Sequence, residues 1–267
     1  MITVASLAPV LGGTLALSGV AVAVSRRREL LVRWCAWAVG VPLVAGAFWW
    51  GRPGAAAVAV TAGVIAVTEF GALMRLGPPD RVVLAAAVTG VVLAAWLAPG
   101  EVFRVLAAGA LAVAAVPLLA GDAEQGLRRL GAGLLGLAWI GVTAALVPLG
   151  ASALALFMAV SVADIVAYFA GPRLGGPSLS PLSPAKRWSG TLAGAVAGLG
   201  TLAALGAPTW PMAVAVAVGG PAGDLLESMV KRGAGVKDAA SWLPGSGGLL
   251  DRIDSLLVAL AVLLVLS

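Results

Sequence analysis

The sequence predicts an all-α polytopic membrane protein of about ten transmembrane helices, and three observations carry that reading. Mean hydropathy is +1.04 and 61% of residues are hydrophobic, outside the range of soluble domains. Apolar runs recur along the whole 267-residue chain, and many approach the roughly 20 residues that a bilayer core asks of a helix. The runs are continuous rather than alternating, which removes a transmembrane β-barrel.

Taken in order, the predicted spans are 4–24, 32–50, 55–73, 82–98, 105–120, 130–148, 151–169, 191–206, 210–223 and 254–266. The first has no basic residues before it and is followed by Arg26, Arg27 and Arg28. That order reads as an uncleaved anchor with its N-terminus outside. Most connections are tight turns marked by Gly, Pro and Asp, such as GPPD at 77–80. Two are longer than a turn needs, at about 170–190 and about 224–254, and both fall on the same predicted side. Small residues, with 36 glycines among them, suit close helix packing in lipid. Two regions result: an N-terminal bundle over 1–150 and a C-terminal catalytic region over 151–267.

Alternating the loops sorts the charge. One side receives every basic residue of the chain except Arg52 and Arg104. The positive-inside rule makes that side cytosolic and puts both termini outside, in a multi-pass protein of the inner (plasma) membrane. The same asymmetry explains the net charge of +5 without a nucleic-acid partner. The chain has no histidine, which excludes Ser-His-Asp and Cys-His catalysis and haem ligation by His. Cys35 is the only cysteine, so no intrachain disulfide forms. No GxxxxGK[ST] sequence occurs, so a P-loop is not the vehicle for a nucleotide.

Chemistry concentrates in GDLLESMVKRGAGVKDAASWLPGSGGLLDRIDS, residues 223–255 of a chain that is only 11% charged. Asp224, Glu227, Ser228 and Lys231 share one face of a helix at i, i+3, i+4 and i+7. Asp251 and Asp254 are again three apart, at the mouth of the last span. The competing reading is an amphipathic helix with a solvated face. Against it, acids and cations crowded at a membrane surface cost stability unless paired or metal-bound. Carboxylates on two helix ends suit Mg²⁺, which shares its shell with substrate phosphates. Lys and Arg beside them suit phosphate oxygens, and the small residues of PGSGG (244–248) let backbone amides approach an anion.

A second constellation is DIVAYFAGPRLGGPSLSPLSPAKRWSG, residues 164–190. Asp164 lies in an apolar run, so it should sit near the cytosolic end or face a polar cavity, with Tyr168 one turn on. Ser183, Lys186, Arg187 and Trp188 suit a lipid headgroup, against the simpler role of interfacial anchors. Glu69 is similar in kind to Asp164, and a structural role is expected for it.

Residues 228–255 resemble the signature of phosphatidate cytidylyltransferases, roughly S-x-x-K-R-x4-K-D-x-G/S/A-x2-L/I/F-P/G-x-H-G-G-x-x-D-R-x-D. Ser228, Lys231, Arg232, Lys237, Asp238, Gly247, Gly248, Asp251, Arg252 and Asp254 match it. Gly223-Asp224-Leu225 resembles the lead-in of that signature, and 164–190 is more loosely similar to a D-x-x-A-Y-x-x-G … S-P-x-K-x-x-x-G stretch of the same family. Ser246 stands where the family has His, Ser189 where it usually has Glu, and Ala185 and Arg187 replace a usual Lys and Thr.

The resemblance implies an Mg²⁺-dependent enzyme, a second cation being left open, that makes CDP-diacylglycerol and pyrophosphate from CTP and phosphatidate. It implies Asp224, Asp251 and Asp254 as metal ligands, with Asp238 in support. Lys231, Arg232, Lys237 and Arg252 would hold the CTP phosphates, aided by Ser228, Gly247 and Gly248. Asp164, Tyr168, Ser183 and Lys186 would shape the lipid side. The expected partners are CTP, phosphatidate or a related lipid phosphate, membrane lipids and a second copy in a homodimer. Two alternatives stay open: a paralogue using another lipid phosphate, and a catalytically silent lipid-binding relative. A transporter is a weaker rival, because the charges gather at one surface and no repeat is present.

Overall fold

The computed structural model describes residues 2–25, 28–236 and 247–267. Its order is α1 (Val4–Ser25), α2 (Arg28–Trp49), α3 (Arg52–Leu73), α4 (Pro78–Leu97), α5 (Val102–Leu119), α6 (Gly126–Ile140), α7 (Leu146–Leu149) and α8 (Ala151–Leu174). There follow strands β1 (Ser178–Ser180) and β2 (Ser183–Arg187), then α9 (Trp188–Ala204), α10 (Trp210–Val214), α11 (Gly220–Gly233) and α12 (Leu250–Leu266). Every predicted apolar run falls on a helix.

Among the described residues, seven helical stretches are long and apolar enough to cross a membrane: Val4–Val24, Arg52–Leu73, Pro78–Leu97, Pro99–Leu119, Gly126–Leu149, Ala151–Leu174 and Trp210–Gly233. The other three runs fall on α2, 22 residues long, and on α9 and α12 at 17 residues each. Large apolar side chains cover the outside, among them Leu17, Phe103, Leu119 and Val265. A surface of that kind belongs in lipid. The protein is thus an all-α membrane protein, with one departure among the described residues: β1 and β2 pair as a short antiparallel hairpin over the long 170–190 connection.

Two of the spans are interrupted. A 3₁₀ stretch at Gly141–Ala145 joins α6 to α7, and Pro148 just beyond it has no amide to close an α-turn. A π turn at Ala215–Gly219 joins α10 to α11, again just ahead of a proline, Pro221.

Two helix pairs come closer than side chains normally allow. On α9, Gly190, Gly194 and Gly198 recur every four residues against α8, and a Cβ at Gly190 would lie 2.9 Å from the Gly171 Cα. On the α10–α11 rod, Gly219 and Gly223 do the same against α12, with hypothetical Cβ atoms 2.7 Å from the Cα atoms of Ala259 and Ser255. Small residues at four-residue spacing are what let helix backbones touch in lipid. This second crossing brings the start of α11 against the start of α12.

The N-terminal region packs through Phe70 and Trp139, whose rings meet edge-on at 6.2 Å. Arg129 holds its loops together, gripping Asp80 through two nitrogens at 2.9 and 3.0 Å and Asp122 through a third at 2.7 Å. That guanidinium keeps the Asp122 carboxyl below its ordinary range.

Candidate active site

The crossing of α11 and α12 builds a three-carboxylate group. Asp224, Glu227 and Asp254 each offer an oxygen, and the three oxygens lie within 4.8 Å of one another. Glu227 is 2% exposed and Asp254 6%. Asp224 and Glu227 are three apart on α11, so one helix face presents both. Asp254 arrives from α12 because Gly223 lets the Asp254–Ser255 backbone touch α11.

Two lysines face these acids. Lys231, one turn beyond Glu227, pairs with it at 2.5 Å and with Asp251 at 2.8 Å. Lys186 reaches in from β2 to pair with Asp224. Burial pulls the Lys186 ammonium below its ordinary pKa, opposed by the nearby carboxylates of Asp254, Asp164 and Glu227. Asp164 on α8 completes the ring, within reach of Ser255 and Asp254. Both constellations read from the sequence therefore converge on one place.

The N-terminus of α12 is held by two carboxylates. Asp251 accepts the Gly248 amide at 2.7 Å with the oxygen that Lys231 does not use. Glu69, 5% exposed on α3, accepts the Leu249 and Leu250 amides at 2.9 and 2.7 Å. Three otherwise open amides of the helix start are thus satisfied, and the carboxylates complement its dipole. The Gly247-Gly248 pair follows from the same geometry. Gly247 has φ +75°, and a Cβ there would collide with Asp251. At Gly248 a Cβ would fall 2.6 Å from a Glu69 oxygen.

The expected site residues are thus distributed as follows. Asp224, Lys231, Asp251, Asp254, Asp164 and Lys186 come together, with Gly247 and Gly248 at the start of α12. Asp251 stands outside the three-carboxylate group, its oxygens committed to Lys231 and Gly248. Glu227 takes a place in the group that the expected ligand set did not give it. Ser228 is half-buried on α11, while Arg232 and Arg252 are exposed. Ser183 is half-buried at the hairpin, and Tyr168 is exposed with its ring edge-on to Phe169. Lys237, Asp238 and Ser246 lie outside the described residues. The departures at 187 and 189 have local roles: Arg187 donates to the Gly176 carbonyl and the Ser189 hydroxyl to the Gly175 carbonyl, tying the hairpin to the end of α8.

The donor set fits a hard divalent cation. Two like charges about 4 Å apart repel by about 4 kcal/mol at an effective dielectric of 20. The Oε1 atom of Glu227 is buried and has no hydrogen-bond donor among the described residues. Asp251 and Asp254 both lie against Glu227. Oxygen donors of this kind are those that Mg²⁺ and its congeners take.

Comparison with known proteins extends this picture. A family model described as "Cytidylyltransferase family" matches residues 31–267. A phosphatidate cytidylyltransferase of Brucella abortus biovar 1 (strain 9-941) is 46% identical over 117 residues, 40% of this chain and 43% of the relative. One from Pseudomonas aeruginosa is 41% identical over 158 residues, 51% of this chain and 55% of the relative. The chloroplastic phosphatidate cytidylyltransferase 4 of Arabidopsis thaliana is 40% identical over 108 residues, 37% of this chain and 28% of the relative. The matched stretches thus span about half or less of these relatives. Since the family model covers nearly the whole chain, carboxylate cluster included, the protein belongs to the cytidylyltransferase family.

Proposed function

We propose that the protein is a membrane-embedded nucleotidyltransferase that moves the cytidylyl group of CTP onto phosphatidate, giving CDP-diacylglycerol and pyrophosphate. The observation that carries this reading is the convergence of Asp224, Glu227 and Asp254 at the α11–α12 crossing, with Lys186 and Lys231 beside them. The names of the matched relatives supply the substrates.

In the reaction an oxygen of the lipid phosphate attacks the α-phosphorus of CTP. A new P–O bond forms, the bridge to the β-phosphorus breaks, and pyrophosphate leaves with that electron pair. Positioning and charge stabilisation can carry such a step without a protein nucleophile, which suits a chain without histidine. Bound by Asp224, Glu227 and Asp254, Mg²⁺ would neutralise charge on the triphosphate. Lys231 holds Glu227 and Asp251 in register, keeping the cluster assembled. Lys186 reaches from the hairpin to the acids, where it can meet an incoming phosphate. Arg232, exposed at the end of α11, is placed to meet the polyphosphate.

The site faces the cytosol in this proposal, with about ten spans in the inner membrane and both termini outside. CTP is a soluble nucleotide while phosphatidate stays in the bilayer, so the reaction needs a mouth where both meet. Purified protein supplied with labelled CTP, Mg²⁺ and phosphatidate should form labelled CDP-diacylglycerol. Turnover with a different lipid phosphate alone would assign another acceptor, and no turnover with any would make the protein a silent lipid-binding relative.

A further inference from the structure

Helix α12 has two working faces. Asp251, Asp254 and Ser255 turn to the carboxylate site, while Leu249, Arg252, Ile253, Leu256, Leu257 and Leu260 line a cavity of about 310 Å³. Those six positions follow i, i+3, i+4, i+7, i+8 and i+11, one continuous stripe of a helix. From Leu249 to Leu260 the stripe runs about 16 Å, close to the roughly 15 Å of one hydrocarbon leaflet. The other walls come from α1, α2, α3, the α6–α7 junction and α8, all with apolar residues except Thr143. Among the described residues, Arg252 is the one charged side chain lining the cavity, and it follows directly on Asp251.

From this arrangement we infer that the cavity is the subsite for one acyl chain of the acceptor lipid, with Arg252 at its mouth drawing the lipid phosphate toward the site. The inference rests on the proposed function and adds to it a specific place for the tail. Charge complementarity selects the occupant: a chain of apolar character fills the stripe, and an anionic phosphate meets the guanidinium. One helix then fixes both the tail and the carboxylates, so seating the chain sets the distance between phosphate and cluster.

Gly40 gives a direct way to fill the space. It lines the cavity, and a Cβ built there meets nothing within 4 Å. A side chain at Gly40 therefore starts in open space on the cavity wall. Turnover of CTP with dioctanoyl and dioleoyl phosphatidic acid is compared in purified full-length wild type and Gly40→Phe, with size-exclusion profiles checking the fold. The KM for the long-chain lipid should rise about tenfold or more, while the short-chain lipid and CTP change little. An equal change for both lipids, or none, overturns the assignment. Gly40→Leu serves in its place should the phenylalanine variant aggregate.

A second measurement reads binding without turnover and so stands even if no lipid phosphate is cytidylylated. Trp37 also lines the cavity. Phosphatidic acid brominated on its acyl chains should quench the Trp37 fluorescence, taken as the difference between wild type and Trp37→Phe. Gly40→Phe should remove that quenching. Quenching equal to that by brominated phosphatidylcholine at the same mole fraction, or unaffected by Gly40→Phe, contradicts the subsite.

Discussion

At Glu227 burial and charge pull in opposite directions: the side chain is almost sealed from solvent, lies against two aspartates, and has Lys231 as its paired cation. Its position three residues from Asp224 was visible in the sequence as a shared helix face. Its place in the carboxylate group depends on where α12 crosses, which spacing within α11 does not reveal. Lys231 shows the same division. Its pairing with Glu227 is the i, i+4 contact that spacing predicts, whereas Asp251 is 20 positions away and joins only through the fold. Glu227→Gln and Asp254→Asn should each lower CTP turnover at least about 100-fold while the protein stays membrane-inserted and monodisperse. Turnover within twofold of wild type would remove the residue from the site. Lys231→Ala, which leaves Glu227 and Asp251 without their shared cation, should cost about 10–100-fold.

At the scale of elements, the account rests on how α12 is held. Glu69 reaches across 180 positions of sequence to cap its first amides. The expectation of a structural role was sound in kind, but its partner could not be read from TEFGALMR, because nothing local marks which helix start it meets. Glu69→Ala leaves two amides uncapped and should cost about 1–3 kcal/mol of stability, measurable in a denaturation series. Glu69→Gln keeps an acceptor oxygen and should lose less. Gly223→Ala addresses the crossing itself, since the added methyl cannot fit against Asp254 and Ser255. A shift near 1 Å at a reacting centre costs about 100-fold, so this variant should lose activity with only a modest loss of stability. Unchanged turnover would show that the α11–α12 approach does not set the site. The hairpin at 178–187 was not legible: its Ser- and Pro-rich sequence lacks strand alternation, and Ser189 and Arg187 secure it through backbone carbonyls of the preceding turn.

For the whole molecule, hydropathy carried most of the architecture, because lipid leaves the backbone little choice beyond helix. Each apolar run became a helix, and among the described residues seven helical stretches are long and apolar enough to span by themselves. Helices α9 and α12, at 17 residues each, are shorter than that. The span predicted at 210–223 grew instead, because the rod runs on through its π turn to Gly233. Orientation rests on the distribution of basic residues. In a Cys35→Ser background, a cysteine at Ser178 should react with an impermeant maleimide only from the cytosolic side, and one at Glu101 only from the outer side. The reverse pattern would invert the topology.

The convergence of two helices on one cation is the centre of the account, and Mn²⁺ binding followed by electron paramagnetic resonance tests it most directly. Purified wild-type protein with CTP should bind Mn²⁺, and Glu227→Gln and Asp254→Asn, one variant from each helix, should each weaken that binding at least about tenfold. Mn²⁺ binding of wild-type strength in both variants would contradict the shared site.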